Sequence, residues 1–271
     1  MQVQWIGKEW ITLMKFCGKT DVGMHRQVNQ DNYRALRVWD DTATLLVVCD
    51  GMGGHKAGEI ASSTAVDIFC EKIVSSPCTE TSPDKILDFI RYTLVSAASE
   101  ANAAIFRLAD ENEEYHGMGT TLVAVLIYEG HIYAINIGDS RFYIVNQKGT
   151  KLVTKDHSFV QYLIDSGKLS EEEAKECPQK NVITRAVGIS DKLDVDFFNS
   201  SLIPWESGYL VLCSDGLSNY VDPKTMEEIL FTHSHWFVSQ EEDLSKKADA
   251  LIAFANEKGG SDNITAVIAR F

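Results

Sequence analysis

An α+β domain made of two antiparallel sheets packed face to face, with helices outside, is the fold class this sequence predicts. Three observations point there. Two long helical segments follow one another between about residues 57 and 108, strand-length apolar runs joined by short links lie on either side of them, and no repeat, low-complexity tract or Pro/Gly/Ser-rich linker divides the 271 residues. Alternating βαβ winding matches this order poorly.

Residues 1–12, with Trp5 and Trp10, are set aside as a lead-in, and 13–271 reads as one domain. Strands are expected over 14–20, 32–39 and 45–49. A helix over 57–74 follows. A second helix starts at Ser82-Pro83, a capping residue followed by proline at the first helical position, and runs to about 108. Its Ile86, Ile90, Leu94, Ala97, Ala101 and Ile105 recur at steps of three and four, which makes one buried stripe. The period then becomes that of a strand: 120–128, the link Glu129-Gly130, 131–137 and 141–145 form a meander.

Regularity is lost over about 156–188, apart from short helical pieces near 160–165 and 170–175. Such an insert is either a substrate-facing lid or only a connection. Strands over 193–198 and 209–213 come next, then a helix near 223–231. A last helix has Leu244, Ala248, Leu251, Ile252 and Ala255 on one face, and a strand over 264–269 closes the chain.

Composition mainly excludes. A formal net charge of −14 leaves no basic face for a nucleic-acid backbone. Of the six cysteines, Cys17, Cys49, Cys70 and Cys213 sit in apolar patterns without paired spacing and read as reduced core thiols. With no cleavable leader and no apolar run of spanning length, the expectation is a cytoplasmic protein away from membranes.

The chemistry gathers at strand ends. Asp50-Gly51-Met52-Gly53-Gly54-His55 follows an apolar run, so a carboxylate at a strand end leads into a loop nearly free of side chains. Asp139, Asp215 and Asp262 occupy the same kind of place. Each alone is compatible with an ordinary turn. If the strands stack as sheets, the four acids meet at one rim, where mutual repulsion calls for a hard divalent cation.

The ordered motifs resemble the metal-dependent protein phosphatases of the type 2C (PPM) family, in particular bacterial members. They are Asp21-Val22-Gly23 with Arg26, Asn29 and Asp31; Asp50 to His55 continuing into Ala57-Gly58-Glu59; Gly119-Thr120-Thr121; Gly138 to Arg141; Asp156-His157-Ser158; Ser214 to Leu217; and Asp262-Asn263. They span nearly the whole chain in family order, and together they are specific where each alone is weak.

That resemblance implies a four-layer α-β-β-α sandwich and a metal-dependent phosphatase of phosphoserine and phosphothreonine in proteins. Water activated by two Mn²⁺ or Mg²⁺ ions would attack phosphorus with no covalent intermediate. By the resemblance Asp50 and the Gly51 carbonyl are metal ligands, Asp215 and Asp262 hold the first ion, Asp139 helps to bind a third and weaker one, and Asp31 supports from behind. Arg26 would clamp the phosphate.

For His55 the implied roles are general acid to the leaving alkoxide, orientation of a neighbour, or substrate contact. Many relatives have glutamate where this chain has Gln30. The insert over 156–188 corresponds to the family's flap. The implied partners are phosphoprotein substrates and a cognate Ser/Thr kinase, with the enzyme acting as a monomer. A catalytically silent scaffold of the same fold, or a phosphatase of small phosphomonoesters, are the alternatives; retention of the four rim acids argues against the first.

Overall fold

The computed structural model describes residues 14–54, 56–202, 207–232 and 240–271. The lead-in and His55 therefore lie outside the described residues.

The first sheet contains β1 (Lys15–Asp21), β7 (Arg141–Asn146), β8 (Gly149–Leu152), β10 (Gly208–Cys213) and β11 (Ile264–Arg270), in the order β1-β11-β10-β7-β8. The second contains β2 (Asp31–Val38), β3 (Ala43–Met52), β5 (Leu122–Tyr128), β6 (His131–Ile137) and β9 (Asp196–Ser201), in the order β2-β3-β5-β6-β9, with β4 (Gly119–Thr120) paired to the end of β3. Every pairing is antiparallel.

Alternation along the central strands explains why they stack. In β3, Ala43, Leu45, Val47 and Cys49 point into one core, while Leu46 and Val48 point into another. Tyr209, Val211 and Cys213 of β10 face a third core, while Leu210 and Leu212 meet Leu46 and Val48 between the sheets. Both faces of these strands are apolar because both are covered, at roughly 1.5–3 kcal/mol for each large side chain removed from water.

Helices α1 (Ala57–Val74) and α2 (Pro83–Glu111) cover the second sheet. On the first sheet lie α5 (Asp215–Ser218), α6 (Pro223–Phe231) and α7 (Gln240–Glu257). The result is the four-layer sandwich. Among the described residues, no helix is long and apolar enough to cross a membrane. All six cysteines are free thiols.

The expected α2 stripe of Ile86, Ile90, Leu94, Ala97, Ala101 and Ile105 is buried, with Pro83 opening the helix, although Ser82 makes no side-chain capping bond. Four details differ from the sequence expectation. β8 was not anticipated, because it is a short edge strand of partly exposed residues with no apolar alternation. The one-turn α5 is too short to carry a period. The strand expected over 193–198 pairs instead from Asp196 to Ser201, since Leu193 and Val195 pack on the α2-side core. The strand expected over 120–128 is interrupted at Thr121, whose amide bonds the carbonyl of Asp50 at 2.9 Å.

The flap insert carries α3 (Phe159–Asp165) and α4 (Glu171–Lys175). Ser170 and Glu173 form a reciprocal capping box at the start of α4.

Candidate active site

Asp50, near the end of β3, is the register partner of Asp31 on β2. Like charges directly opposite weaken a sheet, so the surroundings must hold this pair in place. Three bonds fix the Asp50 backbone: its N–H donates to Thr121 Oγ1 at 2.8 Å, and its carbonyl accepts from the Thr121 amide and from Thr120 Oγ1, each at 2.9 Å.

Asp31 is buried, and its Oδ2 accepts from Ser214 Oγ and Thr265 Oγ1, both at 2.7 Å, which links the second sheet to the first. Its Oδ1 is buried without a donor. Burial pushes the Asp31 carboxyl up to about 7 against the pull of those two hydroxyls, with the charges of Asp215 and Asp262 adding to the rise.

Asp215 opens α5. Its Oδ2 accepts from Asn219 Nδ2 at 3.2 Å, and its Oδ1 is also buried without a donor. Burial and then Asp262 raise its pKa, and the Asp50 carboxyl lies within hydrogen-bonding reach once one of the two carries a proton. Asp50 is raised well above the carboxylate range, by burial first and then by Asp31, Asp215, Asp139 and Asp262. The residue as a whole is only half-buried.

Asp139 follows β6. Burial, then Asp215 and Asp156, carry it up to about 8. Asp262 precedes β11, accepting from the Asn263 amide at Oδ1 and from Arg26 Nη2 at Oδ2, each at 2.8 Å. Gly51 sits where an added Cβ would lie 2.0 Å from the Gly58 carbonyl oxygen and 2.6 Å from that of Gln30, so only glycine lets β3 pass α1 this closely.

Asp31, Asp50, Asp139, Asp215 and Asp262 thus lie within electrostatic reach of one another, with Arg26 attached through Asp262. The described His, Cys, Asp and Glu side chains form no ready-made cage of three, and Asp262 is paired with Arg26. The donor set is nevertheless all oxygen, acidic and partly orphaned, which fits Mg²⁺ or Mn²⁺.

Sequence reasoning gave no role to several groups that build this rim. Asn263 donates from Nδ2 to the Val22 and Val28 carbonyls, and its Oδ1 accepts from the Gln30 amide, stitching the loop after β1 to the rim. Ser214, Thr265, Thr121 and Asn263 are all buried. Ser214 and Asn263 each adjoin a strand-end acid in sequence, whereas Thr121 and Thr265 carry no such local signal.

An α-β-β-α sandwich with buried acids at one rim defines the class. The chain belongs to the protein phosphatase 2C family, whose model matches residues 24–253. It is 38% identical over 251 residues to the serine/threonine phosphatase stp of Listeria monocytogenes, covering 92% of this chain and 93% of that one. Among solved structures it resembles the serine/threonine phosphatase Stp1 of Staphylococcus aureus (32% identity, TM-score 0.83, 96% of this chain and 95% of that one). It also resembles the catalytic domain of the serine/threonine protein phosphatase PstP in complex with two manganese ions (30% identity, TM-score 0.77, 94% and 97% covered).

Proposed function

We propose that this chain is a metal-dependent protein serine/threonine phosphatase whose acidic rim holds two Mn²⁺ or Mg²⁺ ions, with a third, weaker ion beside Asp139. The observation that carries this reading is the set of buried and half-buried carboxylates raised by desolvation and by one another, two of which keep a buried oxygen with no donor. Only a cation removes that conflict while leaving the acids charged.

Asp50 and the Gly51 carbonyl would serve as metal ligands, and Asp215 and Asp262 would hold the first ion. Asp31 holds the rim together through Ser214 and Thr265. When bound, the ions supply Lewis-acid polarisation of the phosphate and a lowered pKa for water. Arg26, half exposed, exchanges Asp262 for two phosphate oxygens and orients the ester for in-line attack. His55 stays a candidate for protonating the leaving serine or threonine oxygen. No thiol takes part. Free cysteines fit a cytoplasmic setting, where the enzyme would act as a monomer on phosphoproteins and oppose a Ser/Thr kinase.

The test is phosphate release from a phosphothreonine peptide with and without Mn²⁺, repeated with Asp215→Asn. Metal-dependent release that falls steeply in the variant supports the reading. Metal-independent release, or release unchanged in the variant, overturns it. Silence under every metal would indicate a scaffold, and preference for a free phosphomonoester would indicate a small-molecule enzyme.

A further inference from the structure

His157 opens the flap and is only 7% exposed, yet both ring nitrogens are engaged. Nδ1 accepts from the Gly138 amide at 3.1 Å, and the backbone amide of His157 donates to the Gly138 carbonyl at 2.9 Å. Gly138, held at φ +104° against Thr121, immediately precedes Asp139. Because Nδ1 accepts, the neutral ring carries its proton on Nε2. That nitrogen lies 3.2 Å from Asp196 Oδ2 and 3.1 Å from Arg185 Nη1, and Arg185 Nη1 donates to Asp196 Oδ1 at 2.8 Å.

Asp196 begins β9, and Arg185 lies where the chain leaves the flap. The two ends of the flap meet here: Ser158 bridges Ile183, the Phe159 amide donates to the Val182 carbonyl at 2.8 Å, and the Thr184 amide donates to the His157 carbonyl at 2.8 Å. Further along, Val187 pairs with Thr120, and Asn102 of α2 accepts from the Gly188 amide at 2.7 Å. The neck of the flap is therefore tied to the second sheet and to α2, and its ring contact toward the rim falls on Gly138.

We propose that His157 is a positioning residue for metal binding at Asp139: its ring fixes Gly138, and through it the backbone of Asp139, against the Arg185–Asp196 pair at the flap neck. Flap and weak metal site then form one mechanical unit. This rests on the reading of Asp139 as a ligand of the weaker ion. It goes further in naming the side chain that couples that ligand to the flap.

Two substitutions separate the two ring nitrogens. In His157→Asn, the amide oxygen takes the place of Nδ1 and keeps the Gly138 bond while losing Asp196. In His157→Gln, the amide reaches toward Asp196 but leaves the Gly138 amide without its acceptor. Mn²⁺ binding is followed by calorimetry and by electron paramagnetic resonance counting of bound ions, alongside phosphate release. The expected result is a tight class of sites unchanged in both variants and a weak class loosened roughly tenfold or more in His157→Gln, but within about threefold of the parent in His157→Asn.

A weak class unchanged in His157→Gln, loosened equally in both variants, or missing from the parent overturns the proposal. Phosphate release by the parent is a separate readout, so failure of the phosphatase reading is distinguishable. Should either variant fail to fold, nitrogen-15 NMR of the parent decides: a proton on Nε2 with Nδ1 bare supports the proposal, and the opposite tautomer overturns it.

Discussion

Arg26 Nη2 donates to Asp262 Oδ2 at 2.8 Å, joining the loop after β1 to the residue before β11 across 236 positions. Both side chains keep contact with solvent, at 49% and 26% exposure, so the pair contributes at most about 1 kcal/mol. Either partner is therefore free to exchange it at little cost, Asp262 for a cation and Arg26 for a phosphate. Arg26→Ala should move Tm by no more than about 4 °C. Its kcat/KM on a phosphothreonine peptide should fall about tenfold to a hundredfold, the scale of a lost charge-assisted hydrogen bond. Steady-state kinetics check this, and an unchanged kcat/KM would separate Arg26 from the phosphate.

Two glycines four residues or fewer from Asp50 should behave oppositely. At Gly51 a Cβ meets two backbone carbonyls, which cannot retreat without moving α1 or the turn at Gln30, whereas Gly54 has nothing within 4 Å of its added Cβ. Gly51→Ala should cost about 1–3 kcal/mol, or roughly 2–12 °C in Tm, and should blunt the thermal shift that Mn²⁺ produces. Gly54→Ala should leave both within error. Differential scanning calorimetry with and without Mn²⁺ separates them, and equal behaviour would show that the close approach at Gly51 is not structural.

Much of the fold was legible because the central strands carry unbroken apolar runs and α2 a continuous stripe, so burial on both faces is written in the period itself. β8 was not legible, since Gly149, Thr150 and Lys151 form an edge strand that needs no apolar residue. Nor was the shift of β9, because Leu193 and Val195 are apolar for the sake of the α2 core rather than for a ladder. At the rim, aspartates after strands could be read as a set, but not the hydroxyls and amides that hold them. Thr265 and Asn263 matter through partners more than 230 positions away, and no local pattern encodes such a distance.

Arg141 and Asp156 form a forked ion pair, with Nε to Oδ1 at 2.9 Å and Nη2 to Oδ2 at 2.6 Å, while Nη1 reaches the Tyr143 hydroxyl at 3.2 Å. The side chains are 30% and 12% exposed, so removing one partner strands a largely buried charge next to Asp139. Asp156→Ala should destabilise by about 3 kcal/mol, roughly 6–12 °C in Tm. Adding Arg141→Met to that variant should recover part of the loss by removing the stranded charge. A double-mutant cycle in denaturant measures the coupling, and additive losses would mean that the pair does not act as a unit.

The flap neck should loosen in acid. Burial holds His157 below the ordinary imidazole pKa, with Asp196 pulling it up and Arg185 pushing it down. Asp196 is raised by burial but carried below the usual carboxylate range by hydrogen bonds from His157 and Arg185. In both cases the unfolded chain takes a proton that the folded chain resists. Stability is therefore present above the unfolded value, about 6.5 for histidine and about 3.9 for aspartate, and is lost as pH falls through the lower folded value. Asp31 and Asp139, raised to about 7 and about 8, run the other way: their contribution is present at low pH and lost as pH rises through those values. A single Tm profile mixes the two slopes, so the informative quantity is the gap between the parent and His157→Asn, in which position 157 no longer titrates. That gap should be widest near pH 7 and should narrow steadily from about pH 6.5 to pH 5, and a gap that stays constant by calorimetry would show that His157 is not linked to folding in this range.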